Sequence, residues 1–389
     1  MIFIWSTVLV IGILVFVHEL GHYLAARSVG VRVEKFSIGF PPRFITLTSV
    51  ENGFDITIFF FRFVKRKLSW EPIIKTHINL KGRVGTGTEY VIALIPLGGY
   101  VKMAGSLDES LDTVITNAPD EFMSKSVFQK IWILSAGVLM NIFTAFIIFT
   151  GITYYQGILD SSNEPIINEL IINNPAEIAG LKKGDEVYSI NGERIYKWTD
   201  LQEIIGPLPN TQINIKVLRD GDIMDFSLKT SFHVIPGDDA LDTLGMIGIR
   251  PEYYYLPVNF SEALTYGLNG TIKSFGLITL TFKMLGSGQA SLKDLGGPIM
   301  IGQIAGETAK AGWIPLMNFM ALISINLAFL NILPIPGLDG GHIFIILIET
   351  IIRRPLSLKS RMVIQQIGMV LLLGLMVTVM FNDVSRLFN

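Results

Sequence analysis

The chain has 389 residues, of which half are hydrophobic and only 16% charged. A formal net charge of −2 argues against nucleic acid, which demands a basic surface. No cysteine is present, so disulfides, thiolate metal sites and cysteine nucleophiles are excluded.

The first element is an apolar run from Ile2 to Ala26 with no acidic or basic side chain before His18. A bilayer core of about 30 Å takes roughly 20 helical residues, so the run (segment 1–26) is long enough to span. It has neither a basic start nor a small-residue cleavage pattern, and we read it as a retained transmembrane helix rather than a signal peptide. Inside it stands His18-Glu19-Leu20-Gly21-His22. Residues four apart share a helix face, so His18 and His22 can grip one ion together. Glu19 stands where zinc peptidases place the carboxylate that takes a proton from water. A charge at this depth costs on the order of 3 kcal/mol and needs a partner or a purpose. A histidine pair satisfied by neighbouring helices is the structural alternative.

Residues 27–127 read as a cytoplasmic, β-rich region that enters the membrane. Phe36 to Arg43 and Ile95 to Lys102 are apolar and punctuated by glycine and proline, suited to turns and bulged strands. Non-helical backbone at membrane depth is tolerated where it is buried in protein or lines a cavity, so a β-loop beside the metal motif is expected. Asn52 to Val64 reads as a strand pair or amphipathic strand. The cluster Arg62, Lys65, Arg66 and Lys67 is either a solvated face or a contact with anionic headgroups, worth about 1 kcal/mol per basic residue.

A second span lies in 128–154, centred on Ile131 to Tyr154. Segment 155–250 changes character: short β-rich runs (Pro165 to Ile172, Glu186 to Ile190, Ile213 to Leu218, Met224 to Leu228) alternate with turn signals. Asn174 to Asp185, with its Pro-Ala, Ala-Gly-Leu and Gly-Asp steps, and Ile190-Asn-Gly-Glu-Arg194 resemble a PDZ domain of the bacterial protease-associated type. Such domains bind extended peptide ends by strand addition; a rigid spacer or size filter is the other reading. In 251–312, Phe260 to Leu285 carries Glu262, Lys273 and Lys283 and is expected as an amphipathic helix on the outer surface, a fifth span being the other reading and one that would upset the charge-based topology. The third span belongs to 313–345, with Trp313 to Leu333 apolar. A cytoplasmic loop (346–361) and a fourth span with the C-terminus (362–389, apolar from Met362 to Phe381) complete the chain.

Basic residues next to span ends set the topology. Arg27, Arg32, Lys35 and Arg43 follow the first span, and Arg353, Arg354, Lys359 and Arg361 separate the third from the fourth. Both loops are therefore expected in the cytoplasm, with residues 155–312 and both termini outside. His18 lies about 24 Å along its helix from Ile2 at 1.5 Å per residue, inside the bilayer towards the cytoplasmic side.

A catalytic zinc usually takes three protein ligands plus water. His77 and His233 fall in loops, Glu307 precedes the third span and Glu349 follows it. Asp339 is the remaining candidate at matching depth, in Asn331-Ile-Leu-Pro-Ile-Pro-Gly-Leu-Asp-Gly-Gly-His342. Pro334 and Pro336 end the span, and Gly337, Gly340 and Gly341 permit tight turns around it. Helix capping is the alternative for Asp339, interhelical hydrogen bonding for Asn331, and a supporting rather than ligating role suits His342.

An apolar His-Glu-x-x-His early in the chain and Asn-x-x-Pro-x-Pro-x-Leu-Asp-Gly-Gly late in it resemble the site-2 protease family of intramembrane zinc metalloproteases. Gly87-Thr-Glu-Tyr90, Ile95 to Lys102 and Gly297-Pro-Ile299 resemble its bacterial regulator-of-sigma-E protease branch. The resemblance implies a polytopic α-helical membrane protein with four transmembrane helices, a membrane-associated β-rich cytoplasmic loop and an inserted extracytoplasmic PDZ domain, in the bacterial inner (plasma) membrane. It implies one Zn2+ per chain on His18, His22 and Asp339, Glu19 as general base, and Asn331 as a group that binds substrate or stabilises the transition state. It also implies that Gly98, Gly99 and Tyr100 of the β-loop pair with extended substrate. Substrates would be single-span membrane proteins, cut within or near the membrane after a first cleavage by another protease. Release of an anti-sigma factor and clearance of signal-peptide remnants are examples. Two departures stand out: well-known members of the branch carry two PDZ domains where this chain has room for one, and Thr46 to Gly82 reads as an insertion. A membrane-anchored PDZ scaffold without activity, a zinc peptidase working outside the bilayer and a metal transporter are the competing function classes.

Overall fold

Among the residues described by the computed structural model (2–64, 67–106, 116–236, 241–291, 293 and 295–388), four helices are long and apolar enough to cross a membrane. These are α1 (Ile2–Ser28), α2 (Val127–Gln156), α7 (Trp313–Ile332) and α9 (Leu358–Phe388). Three of them cover the apolar run expected from sequence and extend it slightly, whereas α7 starts at the expected Trp313 and ends one residue short of Leu333. The buried residues of α1 include Ser6, Val10, Leu14, His18 and His22, a single line at four-residue steps. The histidines therefore continue the face that packs inward.

The chain divides into two compact units: Met1–Phe149 with Gly267–Ile278 and Gly288–Asn389, and Thr150–Tyr266 with Thr279–Ser287. In the first unit a four-stranded antiparallel sheet follows α1, in the order β3-β2-β1-β4. Its strands are β1 (Val33–Val50), β2 (Gly53–Val64), β3 (Lys67–Asn79) and β4 (Glu89–Met103). The Phe36 to Arg43 and Ile95 to Lys102 stretches form parts of β1 and β4, as their composition suggested. The pair is bent, so that Phe36 neighbours both Val101 and Tyr90. Phe36 also packs edge-on to Tyr23 of α1, whose hydroxyl meets that of Tyr90 at 2.7 Å, fixing the sheet to the helix. The Thr46 to Gly82 stretch is mostly the β2–β3 hairpin. Of its basic cluster, residues 65 and 66 lie outside the described residues, and Arg62 is exposed.

The span helices meet where side chains are small. A Cβ on Gly21 would stand 2.5 Å from the Ala136 carbonyl oxygen, so α1 and α2 approach closely only because that atom is missing. The segment expected as amphipathic and at the membrane surface contains α5 (Phe260–Ser287) and α6 (Pro298–Ala311). The middle of α5 packs on two spans, with Phe275 edge-on to Phe329 of α7 and Gly270 against Phe149 of α2. α6 lies directly on α1: Gly302 faces Thr7, and Gly306 has room for no side chain beside Phe3. Its N-terminus is capped from α9, where the buried Asp383 accepts hydrogen bonds from the backbone N–H groups of Gly297, Ile299 and Met300. After α7 the chain turns through residues 333–338 into α8 (Asp339–Ile352), so the expected loop 346–361 is helical as far as Ile352. Glu349 of α8 receives the Arg361 guanidinium at the start of α9.

The second unit has a four-stranded sheet, order β10-β9-β7-β8, formed by β7 (Glu186–Ile190), β8 (Glu193–Arg194), β9 (Gln212–Arg219) and β10 (Asp222–Lys229). Ile213, Ile215 and Val217 alternate inward along β9 and pack with Ile167, Val187, Trp198 and Leu201. Two short helices, α3 (Pro175–Ile178) and α4 (Trp198–Ile205), join this core. Three strand pairs flank it: β5 (Ile158–Ser161) with β14 (Tyr253–Leu256), β6 (Glu169–Leu170) with β13 (Ile249–Arg250), and β11 (Ser231–Pro236) with β12 (Leu241–Met246).

Asp185 ends the Gly-Leu-Lys-Lys-Gly-Asp turn and is 1% exposed. It accepts two hydrogen bonds of 2.7 Å from Arg219 and one from the Lys182 N–H. Burial pushes its pKa up, but Arg219 and the Lys182 amide outweigh burial and hold it below the usual carboxylate range. A depressed folded-state pKa stabilises the fold above the unfolded value, about 3.9, and that stability is lost as pH falls through the folded value. Protection of the amides between Gly180 and Arg219 against hydrogen exchange, taken relative to their intrinsic rates, is therefore expected to fall below about pH 4. In Asp185→Asn the same amides should already exchange fast at neutral pH.

Candidate metal centre

His18 and His22 leave α1 on its inward line, and Asp339 is the first residue of α8, not a loop residue as the proline and glycine pattern suggested. Gly340 and Gly341 make that helix start possible, since a Cβ on either would stand 2.2 Å from a carbonyl oxygen, of Ile332 or Ile335. The turn thus brings the Asp339 carboxylate onto the two imidazoles.

Nε2 of His18 and Nε2 of His22 lie 3.1 Å apart, and Asp339 Oδ2 lies 3.2 Å from the first and 3.3 Å from the second. Ligands about 2.0–2.1 Å from a tetrahedral zinc stand about 3.3–3.4 Å from one another, so this near-equilateral triangle fits a zinc face closely. Asp339 Oδ2 is buried with no hydrogen bond, although it is within ion-pair distance of both rings. Three lone-pair atoms converging on one point, one of them a buried carboxylate oxygen with no proton donor of its own, are the donor set of a cation site. Among the described residues this is the one cluster with metal-ligand geometry.

The second ring nitrogens complete the picture. His22 Nδ1–H donates to the Ile133 carbonyl at 2.8 Å, which leaves Nε2 with its lone pair. His18 Nδ1 faces the side-chain amide of Asn141 at 3.3 Å. Asn331 Nδ2 lies 3.4 Å from His18 Nε2. All the residues expected at the site (His18, Glu19, His22, Gly98, Gly99, Tyr100, Asn331 and Asp339) line one cavity of about 820 Å³. Gly99 is wedged between β1 and the motif helix: its Cβ would stand 2.7 Å from the Ser37 carbonyl oxygen and 3.3 Å from Glu19 Cγ. A Cβ on Gly98 would strike the Phe40 ring. His342 also lines the cavity and is not part of the metal cluster.

Sequence reasoning missed two residues. A Cβ on Gly137 would stand 2.5 Å from His22 Nε2 and 2.7 Å from His18 Cε1, so a bare Cα makes room for both rings. Asn141, fully buried one turn on, is the polar group beside His18. An asparagine and a glycine four apart in an apolar span was the available signal.

The model of peptidase family M50 matches residues 6–66 and 73–375. The chain belongs to peptidase family M50, the site-2 proteases. The match takes in His18 to His22 and Asp339, and leaves out residues 67–72 within the stretch read as an insertion. The regulator of sigma-W protease RasP of Bacillus subtilis is 29% identical over 420 residues, covering 98% of each chain. The zinc metalloprotease RasP of Bacillus licheniformis is 29% identical over 425 residues, again 98% of each. A Campylobacter jejuni protein with a provisional zinc-metalloprotease name is 33% identical over 398 residues, 99% of this chain and 94% of its own. As a member of this family the chain is a membrane zinc metalloprotease, and its cofactor is Zn2+.

Asp339→Ala removes one corner of the ligand triangle, and zinc content of the purified protein is expected to fall well below one per chain. Undiminished stoichiometry would remove Asp339 from the ligand set.

Proposed function

We propose that the protein hydrolyses a peptide bond within a transmembrane segment of single-span membrane proteins, using His18, His22 and Asp339 to hold zinc. The observation that carries this reading is the ligand triangle on the inward face of an apolar, membrane-length helix. Zinc held there supplies Lewis acidity to a water and to the scissile carbonyl. Glu19, adjoining the first ligand and lining the same cavity, takes the proton from the water and returns it to the leaving amine. Asn331 directs its amide towards the reacting carbonyl, as its place beside His18 allows. Gly98, Gly99 and Tyr100 form the part of β4 that holds substrate extended, because a helical segment hides its carbonyls until it unwinds. The alternating β9 core and the Asp185-fixed turn of the second unit support its reading as a single PDZ domain, and the basic residues beside the span ends support its place outside the cytoplasm. A domain there restricts entry to substrates already shortened by a first cleavage. Anti-sigma factors and signal-peptide remnants are substrates of the required kind.

The test is reconstitution of the purified protein in liposomes with single-span proteins, mapping the products by mass spectrometry. Cuts inside the apolar segment are expected, abolished by chelation and restored by zinc. Cuts confined to water-exposed flanks would sink the intramembrane reading in favour of a peptidase working outside the bilayer.

A further inference from the structure

We propose that Asn141 is a positioning residue for zinc: its side-chain oxygen accepts a hydrogen bond from His18 Nδ1–H and so fixes the ring with Nε2 towards the ion. The inference rests on the proposed role of His18 as a ligand. The two histidines differ in how their outer nitrogens are satisfied. His22 Nδ1 has the Ile133 carbonyl as acceptor, which holds the tautomer that a metal needs. His18 needs the same tautomer, since its Nε2 points into the ligand triangle. Its Nδ1 must then carry the proton and requires an acceptor.

The neighbour 3.3 Å away is the Asn141 amide, drawn with its nitrogen towards the ring. Two donors facing each other make no bond. The other end of that amide, Oδ1, is buried without any hydrogen-bond partner. Oxygen and nitrogen of a carboxamide are assigned from hydrogen bonding rather than from shape. Exchanging the two ends costs the oxygen no contact and gives the His18 proton its acceptor. Asn141 itself is fully buried and anchored independently, its backbone carbonyl accepting from Ser324 Oγ of α7 at 2.8 Å. That anchor survives a change of side chain.

The arrangement makes α2 the supporting wall of the centre. Ile133, Gly137 and Asn141 follow one another at four-residue steps on one face. They contribute, in order, a carbonyl for His22, empty space for both rings and an amide for His18.

The experiment uses full-length protein in detergent and measures zinc affinity by competition with a chelator. Asn141→Leu keeps the volume and removes the acceptor; affinity is expected to fall roughly 10- to 100-fold, the usual effect of losing a ligand's outer partner. Asn141→Asp keeps an acceptor and has no N–H to donate; it should bind within a few-fold of wild type. The absorption spectrum of the cobalt-substituted protein should shift in the leucine variant and stay near wild type in the aspartate variant. Thermal unfolding of the metal-free forms is read alongside, because a packing role would lower it in parallel with affinity. Wild-type affinity in Asn141→Leu overturns the proposal, as does a loss in Asn141→Asp equal to that in the leucine variant. If the leucine variant fails to fold, the aspartate variant alone decides which end of the amide faces the ring. His18→Ala separates the two levels: zinc retained there means that the ligand assignment itself is wrong, whatever Asn141 does.

Discussion

Glu19→Gln is expected to cut a membrane-anchored reporter roughly 10²- to 10⁴-fold more slowly than wild type, the range that a positioned general base contributes. Zinc content should stay at the wild-type level, because Glu19 is not one of the three converging ligands. Glutamine has the same shape, so the packing of the side chain against Gly99 is kept. The variant thus removes a basic oxygen and little else. Metal analysis and reporter cleavage are measured on the same preparation. Cleavage at the wild-type rate would show that another group takes the proton.

Gly137→Ala is expected to empty the centre through a single methyl group. The new Cβ would stand 2.5 Å from His22 Nε2 and 2.8 Å from His18 Nδ1, distances that real Cβ atoms do not tolerate. The rings must turn away, and the histidine pair is held on one side by α1 itself and on the other by the Ile133 carbonyl. Zinc stoichiometry and proteolysis should fall together. Gly151→Ala, on the same helix, is the control: nothing lies within 4 Å of its Cβ position, and alanine favours a helix interior by up to about 1 kcal/mol. That variant should bind zinc and cleave as wild type does. A Gly137→Ala protein with full zinc would mean that α2 stands farther from the histidines than the structure has it.

Much of this centre was legible because its chemistry follows from local spacing. His18 and His22 four apart, with Glu19 between them, declare a shared ion without knowledge of any other element. Asp339 announced itself through the prolines and glycines that break the third span, though not as the first residue of a helix. Gly340 and Gly341 allow the turn into that helix, and a pattern of glycines alone does not distinguish loop from helix start. The α2 contribution was hidden for a different reason. A bare Cα has no chemistry until a ring is packed on it, and one asparagine in an apolar span reads equally well as a bond between helices. Which face of α2 turns to α1 is a tertiary fact. The same holds for α6, whose Gly302 and Gly306 look like an ordinary amphipathic segment until Thr7 and Phe3 are seen beside them. Asp383 is likewise an unremarked acid near the end of a span until the N-terminus of α6 is found above it.

The four-residue line along α1 has a mechanical consequence. Four residues turn a helix by about 400°, so each step drifts about 40° and the line winds around the helix. Successive turns accordingly meet different partners: Phe3 and Thr7 meet α6, Val10 and Leu14 pack with Met320 of α7, Gly21 and His22 meet α2, and Ala25 and Ala26 join the cluster that contains Val33 and Phe36 of the sheet. α1 is a screw threaded through the other elements rather than a post beside them. Adding or deleting one residue between Thr7 and His18 would rotate the metal ligands by about 100° against α6 and α7. Only a π-bulge, which takes up one extra residue within a single turn, would restore both ends at once. The length of this stretch is therefore as tightly constrained as the identity of the histidines that it carries.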